Sequence, residues 1–224
     1  MSRIMTSSER VLAALNYEEP DRVPRYEVHN PGFIEAWKNA GLPELSQYCK
    51  NDFGDVIADT TPWPSDAKIL GETDRYIIFR DGWGMLQKRI KTRKESITDQ
   101  PLQARIQKPS DLDQYPFESV DTPIRWKNWK EKLEEIKIRG LCPLVKVGGP
   151  FNRASRIRGY ETFMIDLIAR PEFAKELMNR IVDLQSEMGI RMLQDLEMEP
   201  KIVQIHDEIA STDRPMVSPR LYKS

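Results

Sequence analysis

The sequence predicts an α/β fold: an incomplete TIM (β/α)8 barrel, about the N-terminal half of one, with a small β-rich insertion. Three observations carry this expectation. From residue 126 onward, strand-like and helix-like stretches alternate, as parallel βαβ units do. Four segments have the character of barrel strands, near 23–29, 56–60, 144–147 and 202–206, where a closed barrel needs eight. The chain is 224 residues long, short of the ~250 typical of a complete barrel. The expected organisation is a single partial barrel domain over 1–224, with an N-terminal helix at 6–16, the insertion at about 56–105 and the βαβ segment at 120–224.

Each element has a local reason. Thr6 and Glu9 have the spacing of a capping box, and Val11, Leu12 and Leu15 form an apolar stripe, which gives the helix at 6–16. The prolines of EEPDRVPR end it. Alternation over Val23–His29 puts Val23, Arg25, Glu27 and His29 on one strand face and Pro24, Tyr26 and Val28 on the other. A helix over Pro31–Ala40 stops at Gly41. Lys68–Leu70, Tyr76–Arg80 and Met85–Ile90 read as short antiparallel strands separated by the turn sequences GETD and DGWG. Trp126, Trp129, Leu133 and Ile136 recur at helical spacing, and Gly140 ends that helix. Leu144–Val147 is an apolar strand that runs into Gly148-Gly149-Pro150, and a helix starts near Phe151. Pro171 opens a long helix with the stripe Phe173, Leu177, Ile181, Leu184, Met188 and Met192. Ile202–Ile205 is a strand ending in His206-Asp207-Glu208, and Ser218 starts a last helix.

Composition excludes several classes. Hydrophobic residues are 39% and charged residues 31% of the chain. The longest apolar run, Val11–Leu15, is far below the ~18 residues of a membrane span. The opening MSRIMTSSER has no apolar core of a signal peptide. Lys and Arg total 34 against 35 Asp and Glu, so there is no basic excess of the kind a nucleic-acid binder needs. Cys49 and Cys142 are the two cysteines and have no disulfide-framework spacing, which points to a reducing, cytoplasmic setting. With two histidines and two cysteines spread along the chain, no metal-ligand spacing is legible.

In a barrel, chemistry sits at the C-terminal ends of strands and in the loops that follow. That rule selects four places. Glu27 and His29 end the first strand, on either an inward or a solvated face. Asp55 lies beside the second strand, as a ligand-binding carboxylate or a cap. Gly148 and Gly149 lead into a helix carrying Arg153, Arg156 and Arg158, a pattern suited to a carboxylate or phosphate. His206, Asp207 and Glu208 end the fourth strand, as proton-exchanging groups or as a loop start with a capping Asp.

Several separate stretches resemble a known family. Ser7–Asn16 followed by Glu19-Pro20-Asp21-Arg22-Val23-Pro24 is similar to the opening of the uroporphyrinogen decarboxylase superfamily. Gly148–Glu161, Pro171–Leu196 and Ile205–Tyr222, with Pro215-Met216-Val217-Ser218-Pro219, resemble its central segment in order. The superfamily is built on a TIM barrel and contains the haem-pathway decarboxylase and cobalamin-linked methyltransferases that carry zinc.

The strand-end rule, taken together with the resemblance, assigns catalytic roles to Asp207, Glu208 and His206. It assigns substrate binding to Asp55, Arg156, Arg153, Gly148, Gly149, Glu27 and His29, and of these the resemblance itself supports Asp55. Phe53-Gly54-Asp55-Val56-Ile57 is similar to the family's substrate-aspartate stretch. The arginine-bearing motif of the decarboxylase's first strand is replaced here by Arg22–His29, and the decarboxylase tyrosine falls on Arg156. These departures lean the reading towards a corrinoid-linked methyltransferase-like activity. The alternatives are uroporphyrinogen decarboxylase of tetrapyrrole (haem) biosynthesis, or a non-catalytic fragment or split half-barrel subunit. The family's zinc ligands come from the C-terminal half of its barrel, so no metal and no cofactor is assigned to this chain. Zinc and a corrinoid belong to the complete family member. The implied partners are a small-molecule substrate (a tetrapyrrole or methyl donor), a corrinoid protein, and a second copy or second half-barrel.

Overall fold

The computed structural model describes residues 4–43, 45–91 and 99–223. In chain order the elements are α1 (Ser7–Leu15), α2 (Pro31–Asn39), α3 (Leu45–Cys49), β1 (Phe53–Val56), β2 (Lys68–Glu72), β3 (Tyr76–Arg80), β4 (Leu86–Ile90), β5 (Gln100–Gln103), α4 (Asp111–Gln114), α5 (Trp129–Ile138), β6 (Cys142–Gly148), α6 (Pro150–Arg158), α7 (Tyr160–Ala169), α8 (Pro171–Asp195), β7 (Ile202–His206) and α9 (Pro219–Tyr222). The fold is α/β, with a three-stranded sheet ordered β1-β6-β7 and a four-stranded sheet ordered β2-β3-β4-β5. The chain divides into two units, 1–57 with 128–146 and 191–204, and 58–127 with 147–190 and 205–224.

In the first unit, β1 and β6 pair in parallel, with Asp55 opposite Leu144 and Val56 opposite Val145. Helix α5 packs on β1 because residue 54 is glycine: a Cβ there would come within 2.7 Å of Ile136 Cγ1. Helix α1 forms as its sequence dictates. The Thr6 hydroxyl accepts from the Glu9 amide at 3.2 Å, and the Glu9 carboxylate accepts from the Thr6 amide at 2.9 Å, which closes the capping box. The expected strand at 23–29 joins no ladder among the described residues; it runs as irregular chain after α1. Pro24 has no amide to give, and Asp52 captures the Arg25 amide (2.8 Å), so these backbone positions offer no donor to a sheet.

Asp52 is the anchor of this unit. Its side chain is 0% exposed and accepts from Arg10 Nη1 at 2.5 Å, Arg22 Nη1 at 2.7 Å and Ser7 Oγ at 3.1 Å, besides the Arg25 amide. Arg10 also grips Asp21, at 2.6 and 2.9 Å. Burial alone would raise the Asp52 carboxyl, but the Arg22 guanidinium, the Arg25 amide and Arg10 outweigh it and hold it below the usual carboxylate range.

In the second unit, β2–β5 form the antiparallel meander expected of the insertion. Strand β5 is an addition to the expected strands, and residues 92–98 of the insertion lie outside the described residues. The core of this unit gathers Trp63, Ile106, Leu112, Phe151, Ala154, Ile157, Phe163, Phe173, Leu177 and Ile181. Helix α8, of which residues 171–190 belong to this unit and 191–195 to the first, buries its whole expected stripe, with Leu177, Met188 and Met192 at 0% exposure. Each such side chain contributes ~1.5–3 kcal/mol. Arg158 is held inside by Asp166 at 2.6 Å and by the carbonyls of Ile106 and Gln107 at 2.9 and 2.8 Å.

Candidate functional site

The first unit assembles two polar clusters around the irregular segment 23–30. One is built on the paired strands. Lys146 lies two residues beyond Leu144, the β1 partner of Asp55. The two-residue period therefore puts Lys146, Asp55 and Phe53 on one sheet face. Tyr26 crosses that face, its ring edge-on to Phe53 with centroids 5.7 Å apart. The Tyr26 hydroxyl donates to Asp55 Oδ1 at 2.9 Å, and Lys146 Nζ donates to Asp55 Oδ2 at 2.8 Å and to the Tyr26 hydroxyl oxygen. Burial pushes the Asp55 carboxyl up and the Lys146 ammonium down, so their proton affinities move towards each other. Asp55 stays 35% exposed, open to an incoming ligand. A carboxylate, an ammonium and a phenol within hydrogen-bond reach of one another can bind a polar group or pass a proton.

The second cluster is Glu27, His29 and Cys49, whose donor atoms all lie within 4.8 Å of one another. Cys49 Sγ is 3.4 Å from His29 Nε2, and Glu27 Oε2 is 3.5 Å from that same nitrogen. Burial pushes the Cys49 thiol up, and Glu27 adds to the effect. No metal spacing is legible along the chain because Cys49 is 20 positions from His29. It is α3 that brings the thiol back to the segment.

The residues expected from the strand ends 144–147 and 202–206 fall in the second unit. The amide of Gly149 donates to the His206 carbonyl at 2.7 Å. That brings the start of α6 against Asp207, whose carboxylate accepts from the amides of Phe151 at 2.9 Å and Asn152 at 2.7 Å. Asp207 thus caps α6. Residue 149 must be glycine for this approach, because a Cβ would collide with the Asp207 carboxylate. Gly148 donates its amide to Gln185 Oε1 at 3.0 Å. Glu208 accepts from Asn152 Nδ2 at 3.0 Å. His206 is 63% exposed, 4.0 Å from Glu208.

Arg153 lays its guanidinium over Trp83, 4.8 Å from the ring centroid, and its buried Nε has no hydrogen-bond partner among the described residues. Burial pushes this guanidinium down, and the charge of Arg156 adds to that. Arg156 is exposed and lines a cleft with Trp83, Gln87, Arg89 and Tyr160. Asp55 belongs to the first unit, and Arg153, Arg156 and residues 206–208 to the second.

Sequence reasoning passed over Tyr26, Lys146 and Cys49. The signal for Lys146 was a lone charged residue inside an otherwise apolar strand. Tyr26 offered none, because it stood on the face opposite Glu27 and His29.

No protein-family model and no curated protein matches the chain. No helix among the described residues is long and apolar enough to cross a membrane. Among solved structures, the fold is similar to that of a methyltransferase from Methanosarcina mazei, with a TM-score of 0.56 and 17% identity. The likeness covers 98% of this chain, which spans 63% of the length of that one.

Proposed function

We propose that this chain is part of a group-transfer enzyme of the methyltransferase type, similar to the uroporphyrinogen decarboxylase superfamily and acting with a corrinoid-bearing partner. In this reading residues 1–224 contribute part of a (β/α)8 barrel. The observation that carries it is the fold likeness to a methyltransferase along almost the whole chain. The Tyr26–Asp55–Lys146 cluster supports it from the site side, since it stands on paired parallel strands, where barrels place their polar groups. Asp55 receives hydrogen bonds from the substrate, Lys146 balances its charge, and Tyr26 fixes both. His206 and Glu208, exposed at the end of β7, are the proton-handling groups of the second unit. Asp207 works through the backbone it caps.

The test follows methyl transfer from methylcobalamin to a thiol. The cobalt–carbon bond breaks with its electron pair left on cobalt, the sulfur–carbon bond forms, and the thiol proton leaves to solvent. The visible spectrum of the corrinoid changes as this occurs. We expect a rate above the protein-free control, lowered at least ~10-fold, or ~1.4 kcal/mol, by Asp55→Asn or Lys146→Met. A rate equal to the protein-free control overturns the reading. Decarboxylation of uroporphyrinogen in its place establishes the second reading, favoured by the likeness of Phe53–Ile57 to a substrate-aspartate stretch.

A further inference from the structure

We propose that Glu27, His29 and Cys49 form a three-ligand site for a zinc-class divalent cation. This site shares no residue with the Tyr26–Asp55–Lys146 cluster, and none of its ligands comes from the C-terminal region where the family resemblance would put zinc ligands.

The geometry of the donors is the first argument. Zinc bonds run at about 2.3 Å to sulfur, 2.0–2.1 Å to nitrogen and 2.0–2.2 Å to oxygen, so neighbouring donors of a tetrahedral site lie roughly 3.3–3.6 Å apart. The sulfur–nitrogen and nitrogen–oxygen separations here are 3.4 and 3.5 Å. Two of the three separations thus match a tetrahedral site already, and the sulfur lies within 4.8 Å of the carboxylate.

The second argument separates this cluster from a nucleophilic triad. In a Cys-His-acid relay the thiol faces one ring nitrogen and the carboxylate orients the other. In this chain both Sγ and the carboxylate oxygen approach Nε2. One nitrogen cannot relay a proton between two groups that both crowd it. Three lone-pair donors converging on one point are instead what a cation satisfies. A sulfur, an imidazole nitrogen and a carboxylate oxygen make a borderline-soft set, which selects zinc over magnesium or calcium.

The third argument is that the ligands are held from behind. The Glu27 amide donates to Asn51 Oδ1 at 3.1 Å, and Asn51 Nδ2 donates to the Glu27 carbonyl at 2.9 Å. His29 stacks on Phe33 with ring centroids 4.9 Å apart. Asn30, the next residue, caps α2 through the Phe33 amide at 2.7 Å. Groups behind the ligands fix their orientation and raise affinity. Cys49 is buried while Glu27 is 47% exposed, so an ion enters from the Glu27 side. Three protein ligands leave the fourth position open to water or a substrate atom.

The experiment loads the full chain, stripped of metal by a chelator, with Co2+ and then with Zn2+. We expect a sulfur-to-cobalt charge-transfer band in the near ultraviolet and displacement of cobalt by a single equivalent of Zn2+. Cys49→Ser abolishes the band, whereas Cys142→Ala retains it. Glu27→Gln weakens Zn2+ binding, measured by competition with a chromophoric chelator. Its loss exceeds the ~10–100-fold that removing a group behind a ligand costs, and Asn51→Ala falls within that range. The proposal is overturned if the band survives Cys49→Ser, if no band forms in the wild type, or if Glu27→Gln binds Zn2+ as the wild type does. Should Cys49→Ser fail to fold by circular dichroism, Glu27→Gln alone decides, because its side chain lies outside the core. Metal binding is read without any activity, so its failure leaves the methyltransferase reading to its own assay.

Discussion

Replacing Asp52 with alanine tests how the N-terminal segment is held. The wild-type carboxylate is 0% exposed and accepts from Arg10, Arg22, Ser7 and the Arg25 amide. Removing one partner of a buried ion pair costs about 3–5 kcal/mol. Two features move the cost to the lower end. Arg10 keeps Asp21 and the Met5 carbonyl, and the Arg22 side chain is 35% exposed, so water replaces what it loses. The expected loss is therefore about 3 kcal/mol, or ~6–12 °C in melting temperature for a chain of this size. Circular dichroism melts of wild type, Asp52→Ala and Asp52→Asn measure it. The sign with pH follows from the lowered Asp52 pKa. The folded state binds this proton more weakly than the unfolded one, so the stabilisation is present above about pH 4 and disappears as pH falls through the folded pKa. The difference between wild type and Asp52→Asn should narrow in acid. A loss below ~1 kcal/mol, or a difference that widens in acid, refutes the reasoning.

Four further outcomes are expected. The Asp55 carboxyl, raised by burial, takes up its proton more readily when folded; its contribution to stability is present below the usual carboxylate range and is lost as pH rises through the raised pKa. Carbon-13 NMR titration should show this, with Lys146→Met moving the midpoint further up. Asp207→Ala frees two α6 amides and should cost ~0.5–2 kcal/mol by chemical denaturation; a variant that loses activity at unchanged stability would make Asp207 catalytic instead. Gln185→Ala strips partners from the Gly148 amide and the Thr60 carbonyl and should cost ~1–3 kcal/mol in the same assay. Arg158→Met leaves Asp166 buried opposite an apolar side chain and should lower the melting temperature as Asp52→Ala does.

Elements governed by local chemistry were legible in the sequence. The capping box at Thr6 and Glu9, the α8 stripe and the strands at 76–80 and 202–206 follow from spacing alone. The segment 23–29 alternates like a strand, yet its pairing is decided elsewhere: Asp52 takes the Arg25 amide, and no partner strand supplies a ladder. Asp207 carries both of its readings in the sequence, and the fold brings α6 to it as the thing to cap. Lys146 and Cys49 could not be found by spacing. Their partners come from parallel register and from a helical return of the chain, and both are non-local.

The meander β2–β5 ends in two strands that resist extension. On one side, β2 carries Lys68 and a register shift between Ile69 and Gly71. On the other, β5 carries Pro101 opposite Gln87, and proline has no amide to offer a fifth strand. An open antiparallel edge is otherwise a template for another chain. The irregularity at each border therefore acts as a stop signal for polymerisation. Pro101→Val would restore an amide on that border and so take away one of the two stops.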